Sequence, residues 1–163
     1  MMGLYKRVYS FFIKTSIIRL ILIAVLIVLL KDYLVNLLLI TESTGTEELE
    51  SLKDNPVLFF LIAIIIGPIV ETIIYQAVPI NLIQFLLRKV RLVIPLLPIL
   101  VSAIIFGISH NYNTTYLINA FISGIIYAWY YTVVQSRKES AMVVVFAIHS
   151  LKNLFVFIYD FLL

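Results

Sequence analysis

Residues 56–77 run apolar over more than twenty positions with one carboxylate, Glu71, set among them. About 20 apolar residues are what a helix needs to cross a bilayer core. In lipid every backbone N–H and C=O has to be paired within its own segment, which makes such a stretch helical. An ionisable side chain is costly there unless it turns toward a protein interior or a wet cavity. Glu71 therefore predicts a helix bundle and, inside it, a place where a charge is put to use.

The rest of the chain repeats the pattern. Further apolar runs cover 17–40, 92–110, 115–135 and 140–162, and the run from 56 can be followed to about 87. The expected fold is all-α, a polytopic membrane bundle of about five transmembrane helices. With 63% hydrophobic and 13% charged residues, no part of the chain reads as a separate soluble domain. Residues 1–55 read as an N-terminal anchor helix followed by an acidic extracytoplasmic loop, and 56–163 as the core. The first run is followed by no small-residue cleavage site, so a retained anchor is expected rather than a removed signal peptide. Lys31 and Asp32 interrupt that run and are expected at an interface, with 33–40 lying along it. Cysteine is absent, which removes disulfides and thiolate metal sites.

The net charge of +3 gathers in short clusters. It reads as a topology signal and not as a nucleic-acid footprint. Lys6, Arg7, Lys14 and Arg19 come first, then Arg88, Lys89 and Arg91, then Arg137 and Lys138. Between them, the 41–55 loop sets Lys53 against Glu42, Glu47, Glu48, Glu50 and Asp54, and the 110–115 turn has no Lys or Arg. Basic and non-basic loops alternate, so the N-terminus is expected inside, with five crossings of the cell membrane and the C-terminus outside. Asn55-Pro56 is an N-cap followed by proline at the first helical position. Ser136 and Glu139 have the spacing of a capping box for the last helix. Ala120, Gly124 and Ala128 form a small-residue seam that lets a neighbouring helix approach.

Three more polar side chains sit in apolar surroundings: His110, His149 and Asn153. His149 and Asn153 are four apart, hence on one helical face. Glu71 and His110 are equidistant from the turn at residues 90 and 91, so straight antiparallel helices put them at equal depth. His149, only ten residues beyond Glu139, fits that depth less well, and the mismatch shrinks if 78–87 is not part of the span. Pro79 and the polar stripe Asn81, Gln84 and Arg88 favour such a piece lying along the membrane interface. Each residue also has a plainer reading. A histidine can simply bond a backbone carbonyl, His110 can be a loop residue before Asn111, and Asn153 can be a helix-packing amide.

In three phrases, Glu71-Thr72 with Gln76, Phe106 with His110, and His149 with Asn153, the chain resembles the CAAX-protease and bacteriocin-processing family of intramembrane proteases. That family's motifs are Glu-Glu-x-x-x-Arg, Phe-x-x-x-His and His-x-x-x-Asn. The second and third are complete here, whereas Thr72 replaces the second glutamate and Gln76 the arginine. The stretch holding Phe121, Gly124 and Trp129 looks like the glycine-containing helix the family places between the last two motifs. The resemblance covers about residues 56–158 and implies a CAAX-protease-like four-helix core and a glutamate-type endopeptidase. It implies that Glu71 acts with His110 to activate water, while His149 and Asn153 donate hydrogen bonds to the oxyanion. Thr72, Gln76 and Phe106 would support the motifs. The substrate would be a peptide or membrane protein within the lipid bilayer, and no cofactor is required.

Other readings of the same residues stay open. Glu71, His110 and His149 are also a ligand set for catalytic zinc. A non-catalytic member of the fold could serve in bacteriocin self-immunity or membrane-protein regulation. A small transporter or scaffold subunit would also explain buried polar groups, though not the three motifs in order. The expected sidedness has a direct check in this cysteine-free chain. A membrane-impermeant maleimide should label Gly45→Cys and Lys89→Cys from opposite faces, and labelling from one face would overturn the five-crossing order.

Overall fold

A computed structural model describes the backbone of residues 2–39 and 55–162 and the side chains of 7–38 and 55–159. The acids of the expected extracytoplasmic loop lie outside the described residues. Where the chain is described it forms six helices. They are α1 (Met2–Lys14), α2 (Ile17–Leu39), α3 (Pro56–Lys89), α4 (Leu97–Ser109), α5 (Thr114–Gln135) and α6 (Ala141–Leu162). The protein is an all-α membrane bundle. Three of its helices, α3, α5 and the Ala141–Tyr159 part of α6, are long and apolar enough to cross a membrane, and α4 is a shorter apolar helix.

The boundaries follow local chemistry. Asn55 caps α3 as expected, its Oδ1 accepting from the Leu58 N–H at 3.2 Å with Pro56 next to it. The run expected from 92 becomes helical only at Leu97. Pro95 lacks an N–H and disfavours helix in the residue before it, while Pro98 falls in the first turn, where proline is tolerated. At 13 residues α4 is about 20 Å long, short of a roughly 30 Å hydrocarbon core. The capping box at Ser136 is not what starts α6. Ser136 instead closes α5, its Oγ donating to the Thr132 carbonyl at 3.3 Å, and Glu139 is forked to Arg137. The N-terminal turn of α6 is met by Ser140, whose Oγ accepts from Val143 N–H at 3.5 Å.

α3 is a single helical run of 34 residues, so 78–89 is not a separate interfacial piece. Its polar stripe turns toward α5. Asn81 Nδ2 donates to Tyr131 Oη (3.2 Å), Gln84 Nε2 to Gln135 Oε1 (2.9 Å) and Gln135 Nε2 to Asn81 Oδ1 (2.8 Å). These bonds fix the register, placing Asn81 level with the last turn of α5. Glu71 then lies ten residues, about 15 Å, back along α3, and His149 eight residues, about 12 Å, into α6. The depth mismatch expected for His149 disappears because α3 overshoots the end of α5. α3 ends at Lys89, and just beyond it the left-handed φ of 56° at Arg91 lets Leu92 N–H reach the Leu87 carbonyl at 2.9 Å.

α5 touches all five other described helices and is the axis of the bundle. Ala128, Val133 and Val134 are fully buried along it, with Tyr127 and Tyr130 nearly so. Its largest interface is with α4, where two glycines set the separation. A Cβ on Gly124 would lie 2.9 Å from Ala103 Cα, and one on Gly107 would lie 3.0 Å from Phe121 Cβ. The small-residue seam is thus a packing device. Gly124→Ala should push the two helices apart and cost about 1–3 kcal/mol. Thermal unfolding in detergent against Ile118→Ala, on a more open face of α5, checks this, and equal stability of the two variants would contradict it.

Candidate active site

α3 is wound too widely to be an ordinary helix on both sides of Glu71. Leu61–Ile66 and Thr72–Ala77 are π-helical, with the α-helical turn Gly67–Glu71 between them. Within them Gly67 N–H reaches back to the Ile62 carbonyl and Val78 N–H to the Ile73 carbonyl, five residues in each case. A proline follows each stretch by two residues, Pro68 and Pro79. Since proline brings no N–H, carbonyls one turn earlier lose a donor. The Ala63 carbonyl is the clearest case, because Gly67 is committed to Ile62 and Pro68 has nothing to give. Asn153 of α6 fills the gap, its Nδ2 donating to Ala63 O at 2.7 Å. On the other side Ser102 of α4 donates to the Tyr75 carbonyl, four residues before Pro79, at 2.5 Å. The breaks in α3 are therefore what tie it to α6 and α4 at the level of Glu71.

Gly67 gives that turn its room. A Cβ there would lie 2.9 Å from the Ile62 carbonyl oxygen and 3.7 Å from Glu71 Oε1. The Glu71 carboxylate points between two imidazoles. Its Oε2 lies 3.6 Å from His110 Nε2 and 3.7 Å from His149 Nε2. Both distances suit ion pairs and exceed ordinary hydrogen bonds. Oε2 is buried and has no hydrogen-bond partner.

The two histidines are held differently. His110 ends α4, with Nδ1 2.8 Å from the Phe106 carbonyl and 3.0 Å from Ser109 Oγ. A proton on Nδ1 satisfies that carbonyl, so Nε2 is the atom left to exchange protons with the carboxylate. His149 is buried in α6 and stacks on Tyr127 at 4.8 Å, and its Nδ1 has no partner. The Phe106 ring lies 4.4 Å from the His110 ring and 6.1 Å from the His149 ring, a wedge that sets both.

Glu71, His110, His149 and Asn153 all line one cavity of about 280 Å³. Thr72 and Gln76 do not line it. Both are fully buried, and neither the Thr72 hydroxyl nor the Gln76 amide has a hydrogen-bond partner. Phe106 lines the cavity and is nearly fully buried. Glu71, His110 and His149, the alternative zinc set, are brought together, but among the described residues no three His, Cys, Asp or Glu are grouped so as to hold a metal ion.

Sequence reasoning missed the far wall. Lys31 and Asp32, expected at an interface, face the bundle. Lys31 is buried, bonded to Asp32 and donating to Asn119 Oδ1 and to Ser123 Oγ (2.6 Å) of α5. Asp32 also pairs with Lys152 of α6 at 3.4 Å. Asp32, Asn119 and Lys152 line the same cavity as Glu71. The rule that singled out Glu71, a charge within an apolar run, applied equally to Lys31 and Asp32.

A family model described as Type II CAAX prenyl endopeptidase Rce1-like matches residues 53–155. The chain belongs to that family. No curated protein and no solved structure matches it. As a member of the Rce1-like family it is a membrane protein with a CAAX-type protease fold, and the match spans the helices that carry Glu71, His110, His149 and Asn153.

The Asn153 contact has a consequence for stability. Asn153→Ala removes the side-chain donor to the Ala63 carbonyl, which should cost about 0.5–1.5 kcal/mol. The loss would be read as a lower unfolding midpoint in detergent. An unchanged midpoint would mean that Ala63 finds another donor and that Asn153 does not brace α3.

Proposed function

We propose that this Rce1-like family member is a glutamate-type intramembrane endopeptidase acting on peptide or membrane-protein substrates. One observation carries the reading. Glu71 lines a cavity, and its buried Oε2, without a hydrogen-bond partner among the described residues, lies near two imidazole Nε2 atoms. Water entering there donates one proton to the Glu71 carboxylate and lies within reach of His110. Its oxygen attacks the scissile carbonyl carbon as Glu71 takes the proton. The oxyanion that forms is met by His149 and by the second Nδ2 proton of Asn153, the first being spent on Ala63. Collapse breaks the C–N bond, and the proton held by the Glu71–His110 pair passes to the leaving amine. The products are a carboxylic acid and an amine, so no co-reactant beyond water is needed.

The catalytic core in this reading is 56–163, with 1–55 an anchor helix and an acidic extracytoplasmic loop, in a multi-pass protein of the cell membrane. A second reading has its own support. Thr72 and Gln76 stand, fully buried, where the resemblance expects an acid and an arginine. A member lacking those charges could keep the fold and bind without cleaving, as in self-immunity or membrane-protein regulation.

Wild type and Glu71→Gln compared in native membranes, read by new peptide termini, separate the two. Glu71→Gln keeps the shape of the side chain and removes the base, so termini present in wild type should vanish while the unfolding midpoint is retained. Equal termini in both would favour the non-catalytic reading. Asn153→Ala should keep a residual rate, down by about 10²–10³. Chelators should leave activity unchanged, and loss restored by zinc would reassign Glu71, His110 and His149 as ligands.

A further inference from the structure

A second and larger cavity, about 650 Å³ and open to the surroundings, lies at the corner between α1 and α2. Arg7, Phe11 and Lys14 line it from one face of α1, at spacings of four and three, and Arg19 and Ile23 from one face of α2. Three cations thus line one opening, and among the described residues no acid lines it. Among the described residues none of the three takes part in an ion pair. Like charges gathered this closely repel until an anion joins them.

Two further observations say which anion. Phe11 is 55% exposed, and α2, outside the cavity lining but next in sequence to Arg19 and Ile23, presents Ile18 and Leu22, with Leu26 four residues further on, 69%, 54% and 67% exposed. That is an apolar strip leading away from the cations along a helix, a match for an acyl chain and of no use to a free phosphate. The corner is also held in place. Arg137 Nη1 donates to the Phe12 carbonyl at 2.7 Å and to the Thr15 carbonyl at 2.8 Å, and Glu139 fixes the guanidinium by two bonds of 3.0 and 2.9 Å. Phe12 packs edge-on against Trp129 and Tyr130 of α5. Walls set in advance lose little on binding.

We propose that this corner binds an anionic phospholipid, its phosphate among Arg7, Lys14 and Arg19 and one acyl chain along Ile18, Leu22 and Leu26. The site is separate from the cavity holding Glu71, and its test does not depend on proteolysis. The full chain is placed in phosphatidylcholine vesicles with or without phosphatidylglycerol. Lipid retained through purification and the unfolding midpoint are then measured. Phosphatidylglycerol should be retained selectively and raise the midpoint. Changing Arg7, Lys14 and Arg19 together to glutamine should weaken its retention about a hundredfold, since each basic group near an anionic surface contributes about a fivefold factor. Ser10→Asp, which puts a carboxylate into the same lining and removes no cation, should abolish the preference in a protein whose charge pattern is otherwise native. Lys89→Gln, one cation lost elsewhere, should leave it intact. Equal retention of both lipids, equal loss in Lys89→Gln, or inorganic phosphate raising the midpoint as well as phosphatidylglycerol does would each overturn the proposal.

Discussion

In a lipid environment no water is at hand for a backbone carbonyl that loses its partner. The site depends on that constraint. Pro68 and Pro79 remove two donors from α3, and the helix answers by widening into π turns on each side of Glu71. Widening alone does not satisfy Ala63, which takes its hydrogen bond from Asn153, while Ser102 reaches Tyr75. The same contacts dock α6 and α4 on α3, bringing His149 and His110 to the carboxylate. A regular helix would pair its own carbonyls and leave Asn153 and Ser102 nothing to hold. Disruption of the backbone and convergence of the side chains are one event.

This gives Asn153 two tasks. One amide proton braces α3 through Ala63, and in the proposed reaction the other is the oxyanion donor, its amide group held by the same bond. A donor aimed at developing charge is most effective when it does not have to reorient during reaction. Phe106 does comparable work for the imidazoles. Its carbonyl sets the His110 ring through Nδ1, and its ring packs against both histidines.

Much of this was legible in the residues. Glu71, His110, His149 and Asn153 stand out because polar groups are expensive in an apolar run. Lys31 and Asp32 obeyed the same rule and were misread, because adjacent opposite charges look like the end of a span. What decides their place is Asn119, Ser123 and Lys152, which lie far off in sequence. The stripe Asn81 and Gln84 has the same spacing whether it meets an interface or another helix, and only Tyr131 and Gln135 distinguish the two. Ser136 and Glu139 have capping-box spacing but act on α5 and Arg137, since Ser140 is the nearer cap. The π turns were not readable at all. They change the helical period by one residue over a short stretch in which nearly every side chain is apolar.

The departures from the family motif are easiest to understand as charge balance. Glu71 and Asp32 bring two negative charges to the cavity walls and Lys152 one positive charge, with Lys31 bonded to Asp32 behind the wall. With both histidines neutral this set is balanced without help from positions 72 and 76. Thr72 and Gln76 are fully buried on the inner side of α3, where a lone acid or a lone cation would be unmatched. The Glu and Arg of the family motif would enter as an opposite pair, and their joint absence removes one charge of each sign. Thr72→Glu with Gln76→Arg should therefore leave the unfolding midpoint near that of wild type, whereas Thr72→Glu alone should lower it sharply, by about 3–5 kcal/mol of stability. Equal loss in the single and double variants would show that the two positions are not electrostatic partners. The balance of the site would then rest on Lys31, Asp32 and Lys152 alone.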